Sequence, residues 1–179
     1  MSKFAIRLLT LAIFSVALVA APVLAYAAPE SDPPPKSDSK SKPKKKSSDN
    51  GSRAYAAFAE GYRAAYATIY DRHDYASAIE QLKALGRDDS AAVANLIGYS
   101  YRKLGDYKVS QIWYERALKV DPNHVKTWQY YGLWQVEQGN RDQAQYHLSR
   151  IAAISGTASE EYKSLAAALE KPPGTGLVY

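Results

Sequence analysis

The sequence contains no cysteine, and this absence excludes several functional classes at once. Without cysteine the chain has no disulfide, no thiolate ligand for zinc, no cysteine nucleophile and no lipoprotein anchor. Its three histidines, His73, His124 and His147, lack metal-ligand spacing such as H-E-x-x-H. We therefore expect no metal, no cofactor and no enzymatic activity, and we predict that the histidines are surface or turn residues.

The part of the chain predicted to fold also lacks an excess of charge. The formal net charge is +5, yet residues 54–179 contain fourteen basic and fourteen acidic residues, so the excess lies upstream. A nucleic-acid-binding protein needs basic residues clustered on a folded face. We therefore expect no nucleic-acid partner.

Residues 1–27 have the layout of a secretory signal peptide. Two basic residues precede the apolar run Leu8–Leu24, and Ala25-Tyr26-Ala27 places small residues at the positions that a signal peptidase reads. We predict cleavage after Ala27 and a location in a periplasm or outside the cell. The alternative is an uncleaved anchor, for which seventeen residues interrupted by Pro22 are marginal.

Residues 28–53 are predicted to be a disordered linker rich in Pro, Ser and Lys. Such a composition buries too little apolar surface to offset the entropy lost on ordering. Pro33–Pro35 should stiffen the linker locally. Lys44–Lys46 either attract anionic lipid or envelope polymer weakly or belong to a solvated spacer, and the sequence leaves both interpretations open.

From residue 54 onward the sequence shows helical spacing and a repeat of 34 residues. Gly98 and Gly132 are 34 residues apart, as are Gly105 and Gly139. Gly105 and the following Asp106 predict the end of one helix and the N-cap of the next. Each unit is therefore predicted to be two antiparallel helices joined by a tight turn.

The repeated pattern resembles the tetratricopeptide repeat family. In residues 91–124 the matching positions are Ala94, Ile97, Gly98, Tyr101, Ser110, Tyr114, Ala117 and Pro122. In residues 125–158 they are Trp128, Tyr131, Gly132, Gln135, Ala144, Leu148 and Ile151, with Gly156 in place of the proline. A degenerate unit at residues 59–90 precedes them, with Tyr66 where the family has its small glycine.

The resemblance implies an all-α solenoid of three helix-turn-helix units in a domain at residues 54–171. Thr157-Ala-Ser-Glu160 has capping-box spacing and predicts a final capping helix at residues 158–171. A tail at residues 172–179 ends in Gly-Leu-Val-Tyr, to which the sequence assigns no role. An exported helical repeat without cysteine is also similar to periplasmic proteins of bacteria.

The resemblance also implies a protein–protein interaction module, an adaptor or scaffold that binds a peptide in the groove lined by its first helices. The family's groove positions include Glu60 and Tyr70, and the predicted ligand contacts among these positions are Arg63, Asn95, Tyr99, Arg102, Lys103, Lys126, Gln129 and Leu133. Four cations among these eight residues favour an acidic peptide or a free C-terminal carboxylate as ligand. The alternatives are a structural envelope protein tethered by its basic linker, a self-associating scaffold, or an enzyme with an unrecognised site.

Overall fold

Seven helices and no strand make up the part of the chain that the structure, a computed structural model, describes, namely residues 48–172. The helices are α1 Ser48–Tyr70, α2 Tyr75–Ala84, α3 Ala91–Lys103, α4 Tyr107–Val120, α5 Val125–Glu137, α6 Arg141–Ser155 and α7 Glu160–Glu170. They form the pairs α1–α2, α3–α4 and α5–α6, and α7 packs on the last pair. The predicted all-α solenoid is confirmed. The predictions for residues 1–47 and 173–179, which include the signal peptide and most of the linker and tail, lie outside the described residues.

One glycine and one capping residue build the tight turn inside a unit. Gly105 has a φ of 81°, a left-handed conformation that a Cβ disfavours, and it ends α3. The Asp106 carboxylate then accepts a hydrogen bond from the Val109 backbone N–H at 3.2 Å and caps α4. Gly139 has a φ of 78° at the equivalent place in the third unit. The end and restart predicted from the sequence are confirmed.

The first helix is longer than predicted, because α1 begins at Ser48 rather than near Ala54. Residues 50–57 are exposed, and burial begins at Phe58. A helix that tertiary packing has already nucleated gains further residues at little cost. The extension therefore occurs although residues 48–53 contain no alanine and several poor helix formers, and the prediction of an irregular linker is wrong for these residues.

The turn of the first unit contains one residue more than the turn of the second. The Asp74 backbone N–H donates to the Thr68 carbonyl six residues earlier, whereas Asp106 N–H donates to the Tyr101 carbonyl five residues earlier. The extra residue is accommodated at His73, which has a φ of 54° although it is not glycine. Thr68 therefore occupies the position in α1 that Tyr101 occupies in α3.

The extra turn residue corrects the predicted register of α1. Counting back from Thr68 and Tyr101 makes Ala65, not Tyr66, the equivalent of Gly98. Ala65 is fully buried, as a residue at a close helix contact must be. Tyr66 then becomes the equivalent of Tyr99 and lies on the same side of its helix.

The two helices of the second unit approach closely at Gly98. A Cβ at this position would lie 2.9 Å from Tyr114 Cδ1 and 3.3 Å from the Ser110 carbonyl oxygen. The Ser110 hydroxyl donates a hydrogen bond to the Gly98 carbonyl at 2.8 Å. Gly98 therefore allows α3 and α4 to pack closely. At Gly132 a Cβ would lie 2.5 Å from Leu165 Cδ2 of α7. The absence of a side chain at this position therefore leaves room for the capping helix to pack against α5.

The capping helix α7 begins at a different residue from the one predicted. Ser159 rather than Thr157 is its N-cap, and the Ser159 hydroxyl accepts a hydrogen bond from the Tyr162 backbone N–H at 3.3 Å. At the other end of α7 the Arg141 guanidinium donates to the carbonyl oxygens of Leu169 and Lys171. Carbonyls in the last turn of a helix lack partners within the helix, so Arg141 satisfies that of Leu169 and also bonds to the carbonyl of the C-cap residue Lys171.

His147 is buried in α6, which corrects its predicted place at the surface or in a turn. Its ring centroid lies 4.8 Å from that of Tyr131 and 5.1 Å from that of Trp128. Its Nδ1 lies 3.3 Å from the Trp128 carbonyl oxygen. Burial lowers the pKa of His147 to about 4, and the hydrogen bond to Trp128 opposes that shift in part. His147 belongs to the buried stripe of α6, between Ala144 and Ile151.

We expect Gly98→Leu to destabilise the protein by about 1–3 kcal/mol, because the new side chain overpacks the contact with Tyr114 and Ser110. Chemical denaturation followed by circular dichroism measures the loss. Gly51→Leu is the matched control, since Gly51 lies in a helix with nothing within 4 Å of a Cβ. If both variants unfold at the same denaturant concentration, the close approach at Gly98 does not exist.

We expect stability to fall between pH 7.5 and pH 5, because unfolded His147 binds a proton near pH 6.5 and folded His147 only near pH 4. The stability that neutral His147 contributes is complete above pH 6.5 and is lost as the pH falls toward 4. The loss at pH 5 is about 2 kcal/mol for one such group. His147→Gln should remove this part of the pH dependence in thermal melts. An equal loss in parent and variant would show that another group is responsible.

Candidate functional site: the concave face of the first helices

The first helices lie side by side and form the inner layer of the stack. Helix α3 contacts both α1 and α5, and α5 contacts α7. The second helices α2, α4 and α6 do not contact one another within residues 48–172. In a curved stack the helices that touch lie on the inside, so α1, α3 and α5 define the concave face.

Four tyrosines from the three first helices form a tyrosine cluster on this face: Tyr66, Tyr70, Tyr99 and Tyr130. The ring centroids of Tyr66 and Tyr70 are 4.3 Å apart, those of Tyr70 and Tyr99 are 5.6 Å apart, and those of Tyr99 and Tyr130 are 5.2 Å apart. The Tyr70 and Tyr130 hydroxyls share a hydrogen bond of 2.8 Å. The cluster therefore joins the first unit to the third across Tyr99 of the second.

Within the tyrosine cluster, the surroundings of Tyr70 keep its hydroxyl protonated. The pKa of Tyr70 is raised well above its usual value, chiefly by burial and then by the neighbouring Tyr130. A protonated hydroxyl can donate or accept, so the bond between Tyr70 and Tyr130 needs no charged group. Aromatic pairs at these separations each contribute about 0.5–1.5 kcal/mol beyond the burial of their area. The cluster is therefore a rigid, uncharged surface.

Arg102 forms an ion pair and a hydrogen bond within the chain. It was expected to bind a ligand carboxylate, and the structure corrects that role. Its guanidinium binds both carboxylate oxygens of Glu137 at 2.7 Å and donates to the Tyr130 carbonyl at 3.2 Å. The Arg102 side chain is 3% exposed. Removing one partner of a buried ion pair leaves the other charge uncompensated, at a cost of about 3–5 kcal/mol. Arg102 thus joins the second unit to the third.

The other cations of the predicted groove differ in how far the chain itself neutralises them. Lys126 Nζ lies 3.4 Å from a Glu161 carboxylate oxygen of α7. Lys103 is partly buried, and burial lowers its pKa, as does the charge of Arg102, while Glu137 opposes this shift. Arg63 is exposed on α1, but the corrected register makes it the equivalent of buried Leu96 and not of Asn95, so it does not occupy the groove position predicted for it. The expected strongly positive face is therefore wrong, because two of its four cations are paired with carboxylates and Arg63 lies outside the groove positions.

The three remaining groove candidates have different surroundings. Asn95 is fully buried, and within residues 48–172 neither its amide nitrogen nor its amide oxygen has a hydrogen-bond partner. Gln129 is partly exposed on α5. Leu133, expected to contact ligand side chains, is 4% exposed and packs in a core cluster with Leu165 of α7. Both placements are corrections, because Asn95 has no exposed surface and the capping helix covers Leu133.

Sequence reasoning did not identify Tyr130, Glu137 or Glu161 as part of this face. Tyr130 was visible as an aromatic residue outside the repeat pattern, which is a signal for a role beyond core packing. Glu137 lies 35 residues after Arg102, at nearly the repeat distance, so a charge comparison between units could have paired them. Glu161 had no such signal, since its pairing with Lys126 depends on how α7 docks.

A second surface lies on the outer side, along α4. Ile112 is 62% exposed and Val120 is 42% exposed, and they border a shallow groove with Lys119. The Arg116 guanidinium closes one side through an ion pair with Asp88 at 3.0 Å. This surface is apolar with charges of both signs around it, and it faces away from the first helices.

Within residues 48–172 no three His, Asp or Glu side chains lie close enough together to hold a metal ion. In the same range, no helix has the length and apolar character needed to span a bilayer.

Comparison with known proteins identifies one repeat in this chain. Residues 91–124 match the family model described as tetratricopeptide repeat. No curated protein matches the chain. The matched residues are helices α3 and α4, which carry Asn95, Tyr99, Arg102 and Lys103. The chain therefore contains a tetratricopeptide repeat at residues 91–124, a kind of repeat that typically serves protein–protein interaction.

Proposed function

We propose that this protein is an adaptor or scaffold of the cell envelope that binds a partner protein on the concave face of α1, α3 and α5. The observation that carries this proposal is the continuous inner layer of first helices, with the matched repeat at its centre. A continuous layer offers an extended peptide several contacts in a row, which one unit alone could not supply.

The ligand that fits this face best is an acidic peptide or a peptide with a free C-terminal carboxylate. Lys103 is partly exposed on α3, so its ammonium group can approach a carboxylate. Gln129 presents an amide that can bond to an extended peptide backbone. Arg102 and Lys126 support the face through their own ion pairs and do not bind the ligand directly.

Self-association is a second candidate function, and the exposed surface along α4 favours it. Ile112 and Val120 lie at its two ends, with charges of both signs between them. A surface of mixed charge can pair with a second copy of itself in the reverse direction. In that case Ile112→Glu should shift the protein from dimer to monomer in sedimentation experiments, and a parent that is monomeric at all concentrations would exclude this function.

Affinity capture with the purified protein, followed by titration of the captured partner, tests the proposed binding face. Lys103→Glu should weaken binding about tenfold or more, because it reverses the charge on the concave face, and added salt should weaken binding by the parent. Lys119→Glu makes the same charge change on the outer side and should bind like the parent. If Lys119→Glu abolishes binding while Lys103→Glu does not, the partner binds the outer surface.

We further propose that the protein acts in a periplasm or outside the cell after cleavage following Ala27. The apolar run Leu8–Leu24 and the small residues Ala25 and Ala27 support this location. The intact mass of the protein isolated from the envelope fraction should correspond to a chain that begins at Ala28. A mass that retains residues 1–27 would favour the membrane anchor instead.

A further inference from the structure

A histidine caps the first turn of α5. The His124 Nδ1 accepts a hydrogen bond from the Thr127 backbone N–H at 3.3 Å, and it lies 2.6 Å from the Thr127 hydroxyl oxygen. The residues usual at such a cap are Ser, Thr, Asp and Asn, whose side-chain oxygens accept at neutral and mildly acidic pH alike. An imidazole nitrogen accepts only while it carries no proton. The cap of α5 therefore exists only with neutral His124.

Protonation of His124 would remove this cap. The Thr127 hydroxyl can reverse its role and accept from the new Nδ1–H, but the Thr127 backbone N–H is a donor in every state. This N–H would keep only its bond to the His124 carbonyl oxygen at 3.0 Å. The new charge would also lie at the positive end of the helix dipole, which disfavours a cation. Both effects weaken the start of α5.

A second histidine contacts the same turn from α6. The His147 Nδ1 lies 3.3 Å from the Trp128 carbonyl oxygen. The Trp128 side chain donates from Nε1 to the Pro122 carbonyl oxygen at 2.8 Å, and its backbone N–H donates to the His124 carbonyl oxygen at 3.3 Å. Trp128 therefore links His147 to the turn that His124 caps.

The surroundings of His147 disfavour its protonated form. Burial lowers the pKa of His147 to about 4, and no carboxylate within residues 48–172 contributes to the shift. Tyr131 of α5 stays uncharged, because burial and then the nearby Glu115 raise its pKa to about 12. The other titratable or charged groups around this ring have partners of their own or face solvent: Glu115 of α4 accepts from the Tyr131 hydroxyl, Arg150 lies over the Trp128 ring, and Tyr146 is exposed.

His124 is less buried than His147, and charges of both signs surround it. Burial lowers the pKa of His124, Asp121 at the end of α4 opposes this shift, and Lys126 adds to it. The Lys126 Nζ lies 3.4 Å from a carboxylate oxygen of Glu161 on α7. The net shift is downward, so both histidines are neutral near pH 7 and become charged in acid.

Acid therefore acts on the third unit more than on the others. The sequence has three histidines, and the remaining one, His73, is exposed in the turn after α1. In a repeat stack each unit has its own stability and contacts only its neighbours, so one unit can open before the rest. Helix α5 also carries Tyr130, whose hydroxyl shares the 2.8 Å hydrogen bond with that of Tyr70. Opening of the third unit would break this contact on the concave face.

We propose that His124 and His147 form a pH-sensitive switch at the first turn of α5. When both side chains are protonated, the cap of α5 is lost and the third unit opens locally, so the concave face is complete only near neutral pH. The opening is a property of the fold. Its regulatory meaning rests on the proposed function, because a partner bound on the concave face would be released in acid.

Hydrogen exchange of backbone amides, resolved by peptide and corrected for the intrinsic effect of pH, tests the proposal in the purified protein at pH 7.5 and pH 5. Protection of α5 and α6 should fall roughly thirty-fold or more, because His147 binds a proton near pH 6.5 in the open state and only near pH 4 in the folded state. Protection of α1 and α2 should fall much less. An equal loss in all helices would overturn the proposal, because the domain would then respond as a whole.

A double variant identifies the histidines as the cause. His124→Asn keeps a side-chain acceptor at the cap at either pH, and His147→Gln keeps hydrogen-bonding groups in α6 without a group that titrates. The double variant should lose no more protection in α5 and α6 at pH 5 than in α1 and α2. If the third unit of the double variant still opens at pH 5, the switch is wrong.

Two single variants complete the experiment. His73→Asn is the matched control, because it removes the exposed histidine and asparagine tolerates the φ of 54° there. It should respond to pH like the parent, and a response like that of the double variant would contradict the proposal. His124→Asn alone should retain part of the protection that the parent loses, even if the double variant does not fold. An unchanged loss in His124→Asn would show that the cap takes no part.

The outcomes separate this inference from the proposed function, since hydrogen exchange needs no partner. If the third unit opens in acid but a captured partner ignores Lys103→Glu, the switch stands and the proposed binding face is wrong. If all helices lose protection equally but the partner distinguishes Lys103→Glu from Lys119→Glu, the binding face stands and the switch is wrong.

Discussion

The hydrogen bond between the Tyr70 and Tyr130 hydroxyls is the constraint on which the concave face depends. In a solenoid each unit normally contacts its neighbours alone, so curvature can vary from one junction to the next. Here a 2.8 Å bond joins the first unit to the third, with Tyr99 stacked between them. Both junctions must therefore keep the geometry that allows this contact. The Arg102–Glu137 pair adds a second link at the junction between the second and third units, and Arg102 also binds the Tyr130 backbone. The tyrosine cluster and the ion pair thus fix the curvature together.

The close helix contacts explain why these junctions are ordered enough to support such a bond. Gly98 brings α3 and α4 together, and Gly132 admits Leu165 of α7 beside α5. The extra residue at His73 turns Tyr66 rather than Ala65 toward the concave face, next to Tyr70. Had the first unit kept the turn of the second, the backbone register of α1 would differ by one residue and these rings would not line up. One additional residue in a single turn therefore determines which side chains lie on a surface formed by three helices.

The features that the sequence predicted correctly are those governed by local and periodic rules. Gly105 and Asp106 define a turn by backbone conformation and capping, and Gly98 repeats at Gly132 because each unit needs a close contact. The features that it predicted wrongly depend on relations between units. Leu133 is buried because α7 docks over it, and Arg102 is paired because the twist of the stack brings Glu137 to it. No periodic pattern in one unit contains that information. The register of α1 failed for a related reason, since one inserted residue at His73 is invisible to a comparison that assumes equal turns.

The neutralisation of Arg102 and Lys126 changes how the concave face can select a ligand. A face with four unpaired cations would attract any acidic chain over a long distance, and salt would control its binding. Glu137 and Glu161 neutralise two of those cations by forming ion pairs with them. Long-range attraction of an acidic chain is therefore weak, and binding to this face would depend on contacts at short range. The rigid rings of the tyrosine cluster supply such contacts at low entropic cost, because their neighbours already hold them in place. Under the proposed function, shape and ring packing would therefore determine what binds on the concave face, and charge would contribute only at short range.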